Sequence, residues 1–179
     1  HQRAVDHGGK LFGCWRSVVG LGLARDEGIA LTAWPDEDTA HAVAAPGGAV
    51  TGSESCVLDA TVRPVNDDPP IYKGVYVFRW FDVAAADWQN FCDLSDAAWP
   101  NMESVFDVNI CGFWRAQDIA APHSKTLLLT RYADLSVWEA SRYWNNPVAE
   151  ADQSMSRFRE RAEIVSATIA YPALPIFDS

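Results

Sequence analysis

Gly13-Cys14-Trp15-Arg16-Ser17 recurs, roughly 100 residues on, as Gly112-Phe113-Trp114-Arg115-Ala116. Two more blocks follow in the same order. Ala30-Leu31-Thr32-Ala33-Trp34-Pro35-Asp36 matches Leu128-Leu129-Thr130-Arg131-Tyr132-Ala133-Asp134, and Ala60-Thr61-Val62-Arg63-Pro64 matches Ala167-Thr168-Ile169-Ala170-Tyr171-Pro172. Each block alone is weak, but their shared order points to a duplicated unit. A period this long means repeated domains and not a solenoid, whose repeat is shorter.

The later copy reads as a whole unit. Tyr72 to Phe81 is rich in aromatic and β-branched residues and predicts a strand. Ala84 to Trp99 carries Trp88, Phe91, Cys92 and Leu94 at helical spacing, with Pro100 as the expected stop. Val108 to Arg115 and Thr126 to Tyr132 predict two further strands. Asp134 is the expected N-cap of a helix bearing Leu135, Trp138, Arg142 and Tyr143. A polar helix over 150–163 leads to a last strand, Ile164 to Tyr171. The order β-α-β-β-α-β is the ferredoxin-like arrangement. The first copy supplies only later elements: strands at Leu11 to Arg16 and Ile29 to Trp34, a short helix from Asp36 to Ala45, and a strand from Cys56 to Val62. Its opening strand and helix are missing, which predicts roughly 35 more residues upstream, with His1 to Gly9 as the helix tail. The expected division is an incomplete repeat over 1–66, a linker at 67–70 containing Pro69-Pro70, and a complete repeat over 71–179.

Composition narrows the function classes. A chain of 179 residues, 49% of them apolar, has material for a sizeable core. The net charge of −10 disfavours a phosphate backbone, so no nucleic acid partner is expected. No apolar run approaches the roughly 20 residues of a membrane helix, and a cytoplasmic location is expected. Cys14, Cys56, Cys92 and Cys111 lack a Cys-x-x-Cys spacing and read as buried free thiols. His1, His7, His41 and His123 are scattered, so no metal site is expected. There is no phosphate loop, nucleophile elbow or carboxylate pair.

The aromatic blocks resemble the NIPSNAP-like branch of the dimeric α/β-barrel proteins. Tyr76-Val77-Phe78-Arg79-Trp80-Phe81 is similar to that family's opening strand. Gly112-Phe113-Trp114-Arg115 is similar to its second, and Thr130-Arg131-Tyr132-Ala133-Asp134 with Trp138 and Arg142 to its third strand and second helix. The likeness spans about residues 71–172. It is thinner in the first copy, where Asp36-Glu37-Asp38-Thr39-Ala40-His41 lacks the Trp and Arg. It implies an α+β fold: tandem ferredoxin-like repeats whose antiparallel sheets form an α/β barrel, with helices outside. Relatives of this fold include cofactor-free oxygenases of polycyclic aromatics and haem enzymes. The haem enzymes need an axial His on a helix of the unit, and the matching helix end here, Trp144-Asn145-Asn146-Pro147, has none. No cofactor is therefore expected. The implied function is a small-molecule enzyme, a cofactor-independent oxygenase or isomerase acting on an apolar or aromatic substrate. The alternative is a non-catalytic binding or assembly protein, forming a homo-oligomer or joining a partner subunit.

The candidate site residues are Trp15, Arg16, Tyr76, Trp114, Arg115 and Tyr132. Arg16 and Arg115 follow a Trp in both copies and would bind an anionic or enolic group, or else form ion pairs at strand ends. Strand alternation puts Trp114 on the face of Gly112 and Arg115 on that of Phe113. Gly112 therefore leaves room beside the indole for a ligand, or for core packing. Tyr76 and Tyr132 are proton-donor candidates or ordinary sheet residues. His41 falls on an outer helix face, and His123 lies in a loop with no identifiable partner.

Overall fold

Val75–Ala84 alternates strictly. Val75, Val77, Phe81 and Val83 belong to one apolar cluster, while Tyr76, Phe78 and Trp80 belong to another. A strand buried on both faces must sit in the middle of a sheet with cover on each side. The computed structural model describes residues 5–43, 50–70, 73–117, 122–142, 144 and 148–176. They form β1 (Lys10–Ser17), β2 (Gly28–Ala33), α1 (Glu37–Val43), β3 (Leu58–Arg63), β4 (Val75–Ala84), α2 (Trp88–Val105), β5 (Val108–Ala116), β6 (His123–Tyr132), α3 (Leu135–Ala140), a single 3₁₀ turn (Ala149–Ala151), α4 (Asp152–Glu163) and β7 (Val165–Pro175). Val5 and Asp6 are also helical; His1 to Ala4, Ala44, Ala45, Tyr72 and Tyr143 lie outside the described residues.

The strands make one seven-stranded sheet in the order β2-β1-β7-β4-β6-β5-β3, antiparallel at each step. Its centre, β7-β4-β6-β5, comes from the later half of the chain in the β-α-β-β-α-β order expected. The expectation of separate sheets for the two halves does not hold. β1 pairs with β7 and β3 pairs with β5, so the early strands extend both sides of a continuous sheet. The third sequence block does not carry over to this pairing. Ala60 lies opposite Trp114, whereas the residue opposite Trp15 is Pro175, well beyond Ala167.

The sheet is strongly curled. Phe12 on β1 and Trp114 on β5 are four strands apart, about 19 Å in a flat sheet, yet their ring centroids are 5.7 Å apart. The curl encloses Phe12, Trp15, Tyr76, Phe78, Trp114, Leu127, Leu129 and Ala173. Trp15 meets Phe78 at 5.0 Å and Tyr76 at 5.5 Å. Each such aromatic pair adds about 0.5–1.5 kcal/mol beyond its area burial. The opposite face is covered by α2 and α4 through Phe91, Trp99, Met102, Met155 and Phe158.

Two local expectations need correction. β4 runs on to Ala84, so α2 starts only at Trp88, and α2 passes through Pro100 to Val105. The proline removes one helical donor, but the last turn is held from outside. The Asn101 side chain donates to Glu150 O at 2.9 Å and accepts from Ser154 N at 3.0 Å, and Met102 is buried. The cysteines are free, as expected, but Cys56 is exposed and only Cys92 is fully buried; Cys14 and Cys111 lie between. Asp134 caps α3 as expected, its Oδ1 accepting from Ser136 N at 2.8 Å and Val137 N at 2.9 Å.

The Gly-x-Trp motif has a steric basis. A Cβ on Gly112 would lie 1.8 Å from the Trp114 ring, and one on Gly13 would lie 2.3 Å from the Trp15 ring. Each indole lies over the glycine two residues before it. Gly112→Ala should therefore cost about 1–3 kcal/mol through overpacking. Gly52→Ala, with open space around its Cβ, should be near neutral. Urea unfolding of the two variants checks this, and equal midpoints would refute it.

Candidate functional site

A cavity of about 340 Å³ opens on the helix-covered face of the sheet. β4, β5 and β6 form its floor with Arg79, Phe81, Ile110, Leu128, Thr130 and Tyr132, and β7 adds its first residues, Val165 to Thr168. α2 contributes Trp99 and Met102, α4 contributes Phe158 and Arg161, and the end of α3 brings Ser141 and Arg142. Trp144 also lines the cavity and is 61% exposed, so that side meets solvent. The volume and mostly apolar wall are those of a small-molecule site.

Three arginines converge here. The Arg161 guanidinium sits 4.9 Å from the Phe81 ring centroid and 4.7 Å from that of Phe158, and donates to Ser95 Oγ at 3.1 Å. Arg142 lies over Trp138 at 4.3 Å and Trp144 at 5.0 Å. Stacking on aromatic faces holds a guanidinium in place. Arg79 completes the set. No Asp or Glu is among the described residues that line the cavity.

Tyr132 is the buried titratable group of the site. Burial pushes its phenol above the ordinary value of 10.0. The nearby Arg79 and Arg142 guanidiniums and hydrogen bonds with Ser141 and Thr130 act against that. The phenol thus keeps its proton and can donate to an oxygen placed in the cavity. The Trp99 indole N–H is buried with no acceptor among the described residues. No group of three His, Cys, Asp or Glu side chains able to hold a metal occurs among the described residues.

The six residues singled out in the sequence do not form one site. Trp15, Tyr76 and Trp114 are buried together inside the curl. Tyr132 lies on the opposite face, in the cavity. Arg115 is on that face too but away from the cavity, 4.5 Å over the Trp88 ring and donating to Ser124 Oγ at 2.7 Å. Arg16 is exposed. Adjacent strand residues point to opposite faces, so a Trp and the Arg after it cannot line one pocket. His41 is exposed beside Glu37 at 3.6 Å. His123 has a partner that the sequence did not reveal: its Nδ1 is 3.0 Å from Asp82 Oδ1, across the β4–β6 pair.

Sequence reading missed Arg79, Arg142, Arg161 and Trp99 as a group. Arg79 and Arg142 were visible only as parts of aromatic motifs. Arg161 looked like one more charge on a polar helix.

No protein-family model and no curated protein matches the sequence. Among solved structures, a putative monooxygenase from Lactobacillus acidophilus NCFM is similar in fold. The TM-score is 0.53 at 10% identity, over 97% of this chain and 84% of that one. The likeness is one of fold. No helix among the described residues is long and apolar enough to cross a membrane.

Three weakly acidic groups, Tyr132 in the cavity and Cys92 and Cys111 elsewhere in the packed core, predict the alkaline behaviour. Burial pushes the Cys92 and Cys111 thiols up to about 12 from the ordinary 9.0, and Tyr132 is also raised. Unfolded, the thiols lose protons near 9 and the phenol near 10; folded, they keep them. Their contribution is therefore fully present below about pH 9 and is lost as pH rises past it. Urea unfolding at pH 8 and pH 10.5 should show falling stability. The fall should be smaller in Tyr132→Phe and smaller still with Cys92→Ala and Cys111→Ala added. An unchanged slope in the triple variant would contradict this account.

Proposed function

We propose that this chain is a small-molecule enzyme acting on an apolar or aromatic substrate held in the cavity between the sheet and α4. The chemistry proposed is cofactor-independent oxygenation or isomerisation. The observation that carries the reading is the cavity itself, whose apolar wall converges on Tyr132 and three arginines. Likeness in fold to a putative monooxygenase supports the same class. The motifs around Arg79, Trp114 and Arg142 support kinship with the NIPSNAP-like branch. The helix end Trp144-Asn145-Asn146-Pro147 carries no His for haem, which supports chemistry without a resident cofactor. Within this reading, Tyr132 engages a substrate oxygen as donor, and for oxygenation dioxygen is the co-reactant. The division into repeats over 1–66 and 71–179 belongs to the same proposal. Its support is the cross-pairing of β1 with β7 and of β3 with β5, which places the two Gly-x-Trp strands alike.

A second reading, an assembly protein, has two specific observations in its favour. The curled interior is filled by Trp15, Phe78 and Trp114 instead of being open, and β2 and β3 remain as sheet edges that could take a partner strand.

A panel of aromatic ketones and phenols, screened by thermal shift and then by oxygen uptake and product mass, tests the first reading. Binders should raise the melting temperature of the native chain, and a cavity-filling Thr130→Trp variant that still folds should lose the shift by at least about tenfold in affinity. Binding unaffected by Thr130→Trp would place the ligand elsewhere and remove the proposal. Light scattering that finds a monomer would remove the second reading.

A further inference from the structure

We infer that the curled sheet is one strand short of a closed barrel, and that the slot between β2 and β3 takes an extended segment of the same polypeptide with the alternation of β4, antiparallel to both borders. The slot follows from the sheet itself; the identity of its occupant rests on the repeat division proposed above. Each step of the sheet is antiparallel, so seven strands leave β2 and β3 pointing the same way. One strand running against both is the smallest addition that joins them by the same kind of pairing. The dimensions agree. β1 and β5 are four steps apart through β7, β4 and β6, and the Phe12–Trp114 contact spans the interior between them. One strand between β2 and β3 makes them four steps apart by the other route as well, as opposite staves of an eight-stranded barrel are. Eight strands enclose an interior just wide enough for side chains to fill, and side chains fill this one.

The borders present free backbone to the slot. Ile176 N donates to Cys14 O at 2.9 Å, so Cys14 turns its backbone groups towards β7. Its partner on β2, Ala30, therefore turns its own away from β1 and into the slot. Gln117 N donates to Val57 O at 3.1 Å, so Val57 faces β5 and, by alternation, Ala60 faces the slot. Ala30 and Ala60 are both exposed, and no strand among the described residues pairs with the outer side of β2 or β3. Ile29, Leu31 and Leu58 reach the inner aromatic cluster from the borders yet stay only partly buried. The charges of β3 are engaged elsewhere: Asp59 Oδ1 accepts from the Gln117 side chain at 2.6 Å, and Arg63 is held by Glu103.

The repeat supplies the occupant. β1, β2 and β3 stand in the first half as β5, β6 and β7 stand in the second, where β4 lies between β6 and β7. The counterpart of β4 belongs between β2 and β3, the same slot that the odd strand number leaves open. Val5 and Asp6 are helical just ahead of β1, as α2 is ahead of β5, so the counterpart strand precedes that helical turn in the polypeptide. Its large apolar residues, at every second position, cover Ile29, Leu31 and Leu58 as Tyr76, Phe78 and Trp80 of β4 cover the rest of the cluster.

The experiment uses the native chain and a labelled, lysine-flanked peptide of the β4 sequence, Val75–Ala84, as a stand-in for that strand. Fluorescence anisotropy should show saturable binding. A version with N-methylated amides and the same side chains should bind at least about tenfold more weakly, since backbone hydrogen bonds are lost together. At saturation, amide hydrogen exchange at Ala30 and Ala60 should slow together by at least about tenfold. Protection of one border alone, or of neither, overturns the slot, as does binding indifferent to N-methylation. A lysine-flanked peptide of alternating Val and Thr that binds as tightly overturns the β4-like occupant, and with it the support for the repeat, while the small-molecule reading stands. If the free peptide does not bind, the same sequence joined ahead of His1 by a long Gly-Ser linker decides. The fusion should melt higher and protect both alanines, and an unchanged melting temperature overturns the inference. A dimer by light scattering in which Ala30 and Ala60 are already protected shows a second copy in the slot, and overturns an occupant from the same polypeptide.

Discussion

The contact of each tryptophan with the glycine two residues earlier is the constraint on which the rest of the structure hangs. Trp114 lies flat over Gly112 and Trp15 over Gly13, at separations that no side chain on the glycine would permit. With the indoles laid down, the curled sheet can bring Phe12 against Trp114 and Trp15 against Phe78. An interior filled this way excludes a ligand from the concave face. Space for a small molecule is then left on the other side, where helices meet the sheet less evenly than side chains meet inside the curl.

The helix-side cavity owes its shape to elements that would not be chosen for it one by one. α2 reaches Met102 only because Asn101 ties the turn after Pro100 to the start of α4. Arg161 is set by three phenylalanine rings, those of Phe81, Phe91 and Phe158. Asp134, capping α3, fixes where Ser141 and Arg142 emerge. On the far side, Arg63 at the end of β3 grips Glu103 of α2 through both carboxylate oxygens, at 2.9 and 3.1 Å. Glu103 also accepts from Ile110 N at 2.8 Å, beside the irregularity in β5. The outermost strand, the main cover helix and the distorted strand are therefore held at one point.

Much of the fold was legible in the sequence because it follows from alternation and spacing. The aromatic run of β4, the Gly-x-Trp strands and the Asp134 cap are local patterns with local causes. The helix stop assigned to Pro100 failed because the compensating bonds come from about 50 residues away. The separate sheets failed for a similar reason, since pairing between β1 and β7 leaves no local trace. The site was less legible still. Tyr132 was found, but Arg16 and Arg115 were favoured for their place beside a tryptophan, and alternation turns such neighbours apart. Arg79, Arg142 and Arg161 come from a strand, a helix end and another helix, so only the packing of α4 and the end of α3 on the sheet collects them.

Seven antiparallel strands have a consequence for growth. An odd number leaves both borders, β2 and β3, running in the same direction, so they could meet each other only in the parallel sense, unlike each step within the sheet. A twofold pairing of two molecules through β2 would consume one border and leave β3; using both borders would extend the array without end. The borders are not equal in this respect. β2 reads Gly-Ile-Ala-Leu-Thr-Ala, without a charge, while β3 carries Asp59 and Arg63. Charges on an edge strand discourage addition, so the chemistry of the two borders favours a finite pair over a fibre.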